Sequence, residues 1–136
     1  MNIRGIEHIG IAVEDLDRAV AFFEGILDTP CSSYEEIAEQ GVRVAIFKLG
    51  AVKVELLASS DPEGAVARFI KRNGQGVHHL AFQVDDTDQA LEELADKGIR
   101  LIDEKSKIGA EGLSVGFLHP KDTLGILMEL CSNKPD

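Results

Sequence analysis

The first half of the chain is repeated in the second. "EHIGIAVEDLDRAVAFFEGIL", residues 7–27, lies over "HHLAFQVDDTDQALEELADKG", residues 78–98, with a constant offset. It places His8 on His79, Val13 on Val84, Asp15 on Asp86, Asp17 on Asp88 and Ala19 on Ala90. "VKVELLAS", residues 52–59, lies over "GILMELCS", residues 125–132, so that Glu55 falls on Glu129 at an offset three residues longer, which the turn "HPKDTLG" accommodates. A duplicated module folds as two similar units, so whatever one half forms the other must approximate.

Each unit reads as strand, helix and three strands. Residues 6–13 carry β-branched residues in alternation, Asp15 is placed to cap a helix over 16–26, and Leu16, Ala19, Val20, Phe23 and Leu27 recur at helical spacing. Segments near 29–36, 42–49 and 52–58 read as strands, parted by turns at Glu39-Gln40-Gly41 and at Gly50. The expected fold class is therefore α+β: tandem βαβββ modules, about 4–60 and 75–132, joined by a helical linker about 61–74 in one domain of 136 residues. A helix covers one face of each sheet, and the reading is a curved eight-stranded sheet whose uncovered concave face surrounds a site.

Strand parity selects the residues of that face. Side chains on a strand alternate between faces, so adjacent histidines cannot share a task. His78 goes with Leu80, Phe82 and Val84, the set a helix packs on, while His79 goes with Val77, Ala81 and Gln83. Likewise Ile9, Ile11 and Val13 oppose His8; Val54 and Leu56 oppose Glu55; and Ile126, Met128 and Leu130 oppose Glu129. Two histidines and two glutamates at repeat-equivalent positions thus fall on the concave side. Buried carboxylates are costly without a compensating charge, and a shared cation compensates both. His8, Glu55, His79 and Glu129 are the expected ligands of a divalent metal, with Co²⁺, Ni²⁺, Mn²⁺, Fe²⁺ or Zn²⁺ suited to nitrogen and oxygen donors. His78 is left as a packing or supporting residue, and His119 as a turn residue or a substrate contact.

Charge narrows the partners. The net charge of −10 disfavours nucleic acid and anionic membrane surfaces. The opening "MNIRGIEHIG" has no apolar run of signal length, no segment is long and apolar enough to span a membrane, and Cys31 and Cys131 form no disulfide pattern, so cytoplasm is the expected location.

"EHIGIAV", "HHLAF", "EEIAEQGVRVAIFKLG", "DEKSKIGAEG" and above all "FLHPKDTLGILMEL" carry a resemblance over residues 4 to about 132. The chain resembles the vicinal oxygen chelate superfamily and, within it, the methylmalonyl-CoA epimerase family; lactoylglutathione lyases share the ligand pattern but usually carry a "DPDGY"-like turn in place of "HPKDTLG". The resemblance implies a CoA thioester substrate, a homodimer, the four metal ligands named above, and Glu129 as a catalytic base. At the position of Glu55 some members carry glutamine. It also implies a second glutamate base where this chain has Val44; Glu39 is nearby in sequence, in a turn. Lys105, Lys107 and Lys121 lie in loops expected to rim the cleft and meet the anionic CoA tail. A glutathione-linked isomerase and a metal-free binding protein are the alternative functions.

Overall fold

The computed structural model describes residues 1–133. Its elements follow the order β1 (Ile3–Ala12), α1 (Leu16–Leu27), β2 (Ser33–Ile37), β3 (Val42–Leu49), β4 (Val52–Ser59), α2 (Ala65–Asn73), β5 (Gly76–Val84), α3 (Thr87–Asp96), β6 (Lys107–Ile108), β7 (Ser114–Phe117) and β8 (Met128–Ser132). This is the expected α+β class, with two runs of strand, helix and three strands. The described residues divide into two compact units, His8–His78 and a second made of Met1–Glu7 with residues 79–133.

In the unit His8–His78 the strand order is β2-β3-β4-β1. β4 runs antiparallel to β3 and parallel to β1. Asp15 caps α1 by accepting from the Arg18 amide at 3.1 Å, which satisfies one of the donors a helix start leaves open. The helix lays Leu16 and Val20 on Ala45, Phe47 and Leu56, so one sheet face is filled by a helix as the alternation requires. Fully burying a Leu or Phe of this kind contributes about 1.5–3 kcal/mol. Between β2 and β3 the chain turns through Gly41 at φ 62°, where an added Cβ would lie 2.9 Å from the Asp61 Cβ, so both conformation and space call for glycine.

The second unit repeats the plan in the order β5-β8-β7-β6. Asp86 accepts from the Gln89 amide at 3.1 Å, the repeat equivalent of the Asp15 cap. Ala90 and Leu91 of α3 pack on Val84, Leu118 and Leu130. Gly116 lets Leu91 approach, since a Cβ there would come within 2.7 Å of its methyl. Residues 1–7 are tied to this unit by the Arg4 guanidinium on Asp85 at 2.8 Å and by the N-terminal ammonium on Glu93 at 2.8 Å. Two details depart from a strict repeat. The counterpart of the five-residue β2 is the two-residue β6. Ile126, expected in the core beside Met128 and Leu130, is 44% exposed, because Leu124 and Gly125 take positive φ and β8 begins only at Met128. Among the described residues no helix is long and apolar enough to cross a membrane.

The Arg100–Asp122 pair anchors the turn that carries "HPKD". Asp122 accepts from Arg100 Nη2 at 2.8 Å, Nε at 3.0 Å and its backbone amide at 2.7 Å, and these bonds hold its carboxyl well below the usual carboxylate range. A carboxyl depressed in the fold stabilises fully above its ordinary value, and that contribution is lost progressively as pH falls from there toward the depressed value. Asp122→Asn is therefore expected to lower the melting temperature at neutral pH and to flatten its decline between about pH 5 and about pH 3. An acid limb of unchanged steepness in thermal melts across that interval would assign the acid sensitivity to other carboxyls.

Candidate metal centre

Each unit holds one buried histidine–glutamate pair, and the backbone builds both in the same way. In parallel β1 and β4 the residue opposite Glu55 is Gly10, two positions after His8. In parallel β5 and β8 the residue opposite Glu129 is Ala81, two positions after His79. Opposed residues on neighbouring strands share a sheet face, so each register puts the glutamate on its histidine's side, one step along. His8 Nδ1 lies 3.3 Å from Glu55 Oε2 in one unit, and His79 Nε2 lies 3.7 Å from Glu129 Oε2 in the other. The four are 3–5% exposed, so none is a solvated surface group.

The donor set suits a metal. In each unit the pair offers an imidazole nitrogen and a carboxylate oxygen, the donor types that a divalent cation of this class prefers. This chemistry fits a divalent metal ion.

The remaining candidates sort by environment. His78 points away from His79 and meets the Phe69 ring of α2 edge-on, with centroids 4.9 Å apart; burial pushes its imidazole below the ordinary value. His79 meets Phe117 edge-on at 5.4 Å, and Phe117 stands opposite Glu129 in the β7–β8 register, so this ring braces the imidazole from across β8. Lys107 lies over the Phe117 ring, its ammonium 5.2 Å from the centroid and 3.4 Å from Asp103. Of the three lysines expected at the rim it is thus the one engaged with a residue beside His79. Lys105 and Lys121 are exposed. His119 serves the turn, accepting from the Lys121 amide through Nδ1 at 3.2 Å while its own amide donates to the Arg100 carbonyl.

Parity within single strands did not find three residues. Phe117 sits in the quoted "FLHPKD" stretch, but its place beside His79 depends on the β7–β8 register. Lys53 pairs with His8 in β1–β4 and with Lys48 in β3–β4, which puts two ammonium groups along the face that carries His8 and Glu55. Glu35 stands opposite Val44, and Ile46, two residues on, stands opposite Glu55. Glu39, by contrast, is exposed in the turn Ala38–Gln40.

Residues 7–117 match the family model of the glyoxalase/bleomycin resistance protein/dioxygenase superfamily. The chain is 41% identical to the mitochondrial methylmalonyl-CoA epimerase of Homo sapiens, over 95% of this chain and 74% of that one. It is 35% identical to the ethylmalonyl-CoA/methylmalonyl-CoA epimerase of Cereibacter sphaeroides, over 92% and 95%. A solved methylmalonyl-CoA epimerase in complex with methylmalonyl-CoA and NH4⁺ superposes with a TM-score of 0.94 at 37% identity, covering 97% of this chain and 96% of that one.

Proposed function

We infer that this chain, which belongs to the methylmalonyl-CoA epimerase family of the glyoxalase/bleomycin resistance protein/dioxygenase superfamily, is an isomerase that interconverts (2R)- and (2S)-methylmalonyl-CoA. The observation that carries this reading is the near-full-length likeness to epimerases at 35–41% identity, joined to a buried His–Glu pair in each half. We propose that both units work as one domain and that His8, Glu55, His79 and Glu129 hold a single divalent ion, Co²⁺ first, with Mn²⁺, Ni²⁺ or Zn²⁺ able to replace it. A cytoplasmic homodimer completes the proposal; the absence of a disulfide at Cys31 and Cys131 suits a reducing compartment.

The reaction takes the proton from C2, between thioester and carboxylate, and returns one to the opposite side. A divalent ion at this site would supply a Lewis acid for the negative charge that develops on the thioester oxygen. The chain does the rest. Glu129 is the base: its carboxylate accepts the C2 proton, the C–H electron pair passes into the enolate, and reprotonation from the other side completes inversion. Phe117, edge-on to His79, keeps that imidazole from rotating out of its pairing with Glu129. Lys48 and Lys53 give the His8 face a local positive charge suited to an anionic substrate in a chain whose net charge is −10.

The test is turnover in deuterated water. The Co²⁺-loaded protein is expected to convert one epimer to the other with deuterium at C2 of the product, and a chelator to abolish conversion. Full turnover by verified metal-free protein, or product without label, would overturn this mechanism. Turnover of a glutathione hemithioacetal with none of the CoA ester would move the substrate to the glutathione-linked class.

A further inference from the structure

Both substrate epimers carry a free carboxylate on C2, the carbon from which Glu129 takes its proton, and the structure sets a cation beside that glutamate's partner histidine. We propose that Lys107 binds the acyl carboxylate of the substrate and so selects CoA esters of 2-carboxy acids; the proposal rests on the epimerase reading given above.

Everything it needs lies in the unit that carries His79 and Glu129. Across β5-β8-β7-β6, Ala81 pairs with Glu129, Glu129 with Phe117, and Val115, two residues before Phe117, with Lys107. Opposed residues, and residues two apart on one strand, share a face. Lys107 therefore stands on the side of the sheet that carries His79 and Glu129. One ring links them: the Phe117 centroid is 5.4 Å from that of His79 and 5.2 Å from the Lys107 ammonium. The electron-rich face of the ring attracts the cation while the imidazole meets the ring edge-on.

The loop that carries Lys107 is pinned around it. Asp88, in the first turn of α3, accepts from the Ser106 amide at 2.7 Å and from its hydroxyl at 2.9 Å. One oxygen of Asp103 accepts from the Phe117 amide at 2.9 Å, and the other lies 3.4 Å from the Lys107 ammonium. Gly109 lets β6 close on β7, since a Cβ there would lie 2.9 Å from a Val115 methyl. These ties fix the backbone beneath the lysine, while its side chain, 40% exposed, keeps the ammonium open to a ligand. The module itself does not ask for a cation at this place: in the other unit the same register puts Glu35 opposite Val44, as Lys107 is opposite Val115.

The chemistry supplies the reason. A carboxylate base and a substrate carboxylate repel each other where water is scarce, and Glu129 is 5% exposed. An ammonium on the substrate carboxylate offsets that repulsion and orients C2 toward the base. The Asp103 pair does not prevent this, because an ion pair on a part-exposed lysine is weak and the ammonium has three donors to share. The CoA diphosphate is the other anionic part of the substrate, but the pantetheine arm separates it from C2, whereas Lys107 and His79 meet the same ring.

The test uses two esters that differ at one group. Malonyl-CoA carries the carboxylate and has no configuration at C2 to invert; propionyl-CoA carries a methyl in its place. Their dissociation constants are measured for the metal-loaded wild type, Lys107→Met, Lys107→Arg and Lys97→Met, the last an exposed lysine at the end of α3, with metal content and the KM and kcat for methylmalonyl-CoA in parallel. In Lys107→Met, affinity for malonyl-CoA is expected to fall about 10- to 100-fold and KM for methylmalonyl-CoA to rise comparably, while propionyl-CoA binding and metal content stay within about twofold of the wild type. Lys107→Arg should restore most of the loss, and Lys97→Met should match the wild type. If Lys107→Met is poorly folded, Lys107→Gln carries the same comparison. An equal fall for both esters would put the ammonium on the CoA tail, and unchanged affinity for both would leave it a solvated lysine; either result overturns the assignment. A wild type that neither epimerises methylmalonyl-CoA nor binds either ester would instead overturn the reading beneath it.

Discussion

Glu129→Gln is expected to lose about 10³-fold in turnover, while Glu55→Gln keeps its rate within about tenfold. The two glutamates are equivalent in the backbone: each lies opposite the residue two past its histidine, on a parallel strand, and each is buried to 4–5% exposure. Ligation alone would therefore make the two substitutions equally damaging. An amide oxygen still coordinates a cation, so glutamine preserves much of the ligand function at either position. It cannot accept a proton, and that difference is felt only where the carboxylate is also the base. Glu129 shares its sheet face with Phe117, Ala81, Val115 and Cys131, an apolar setting for its carboxylate. Steady-state turnover at matched metal content checks the asymmetry, and equal losses in the two variants would remove the division of labour.

How much of this was legible in the sequence depends on the range of each interaction. The caps at Asp15 and Asp86, the helices they start and the inward parity of His79 are set by residues within a few positions of one another, and all are found where the repeat puts them. The separation of His78 from His79 belongs to the same class, since alternation along one strand decides it. What pairing between strands decides was not legible. Phe117 beside His79, Lys53 beside His8 and Glu35 beside Val44 each depend on a register between segments far apart in the chain, and a slip of one residue would turn every side chain to the other face. Ile126 shows the same limit from the other side: its spacing from Met128 and Leu130 fits a strand, yet the positive φ at Leu124 and Gly125 delays the strand until Met128. Repeat symmetry likewise gave no warning that β2 would shrink to the two residues of β6, nor that residues 1–7 would group with the second unit.

His79→Ala is expected to empty the metal site, and His78→Ala to leave it filled. The adjacent histidines face opposite sides of β5. His79 is 5% exposed, 3.7 Å from Glu129 and braced by Phe117, whereas His78 packs its ring on Phe69 of α2. Removing His79 takes away a donor and leaves the Glu129 charge buried with less to balance it, so affinity for the ion should collapse. Removing His78 costs an aromatic contact worth about 0.5–1.5 kcal/mol and leaves the donors intact. Melting temperature reads the two effects separately. An ion that binds only the folded chain adds about 4 kcal/mol at a thousand times its dissociation constant, equivalent to several degrees or more in a domain of this size. His78→Ala should therefore start lower than the wild type yet rise by the same increment when Co²⁺ is added, and His79→Ala should show little rise. Metal content after dialysis gives the same comparison without heating. A loaded His79→Ala beside an empty His78→Ala would mean that β5 presents the opposite face to the ion, and both the parity argument and the ligand set built on it would fall.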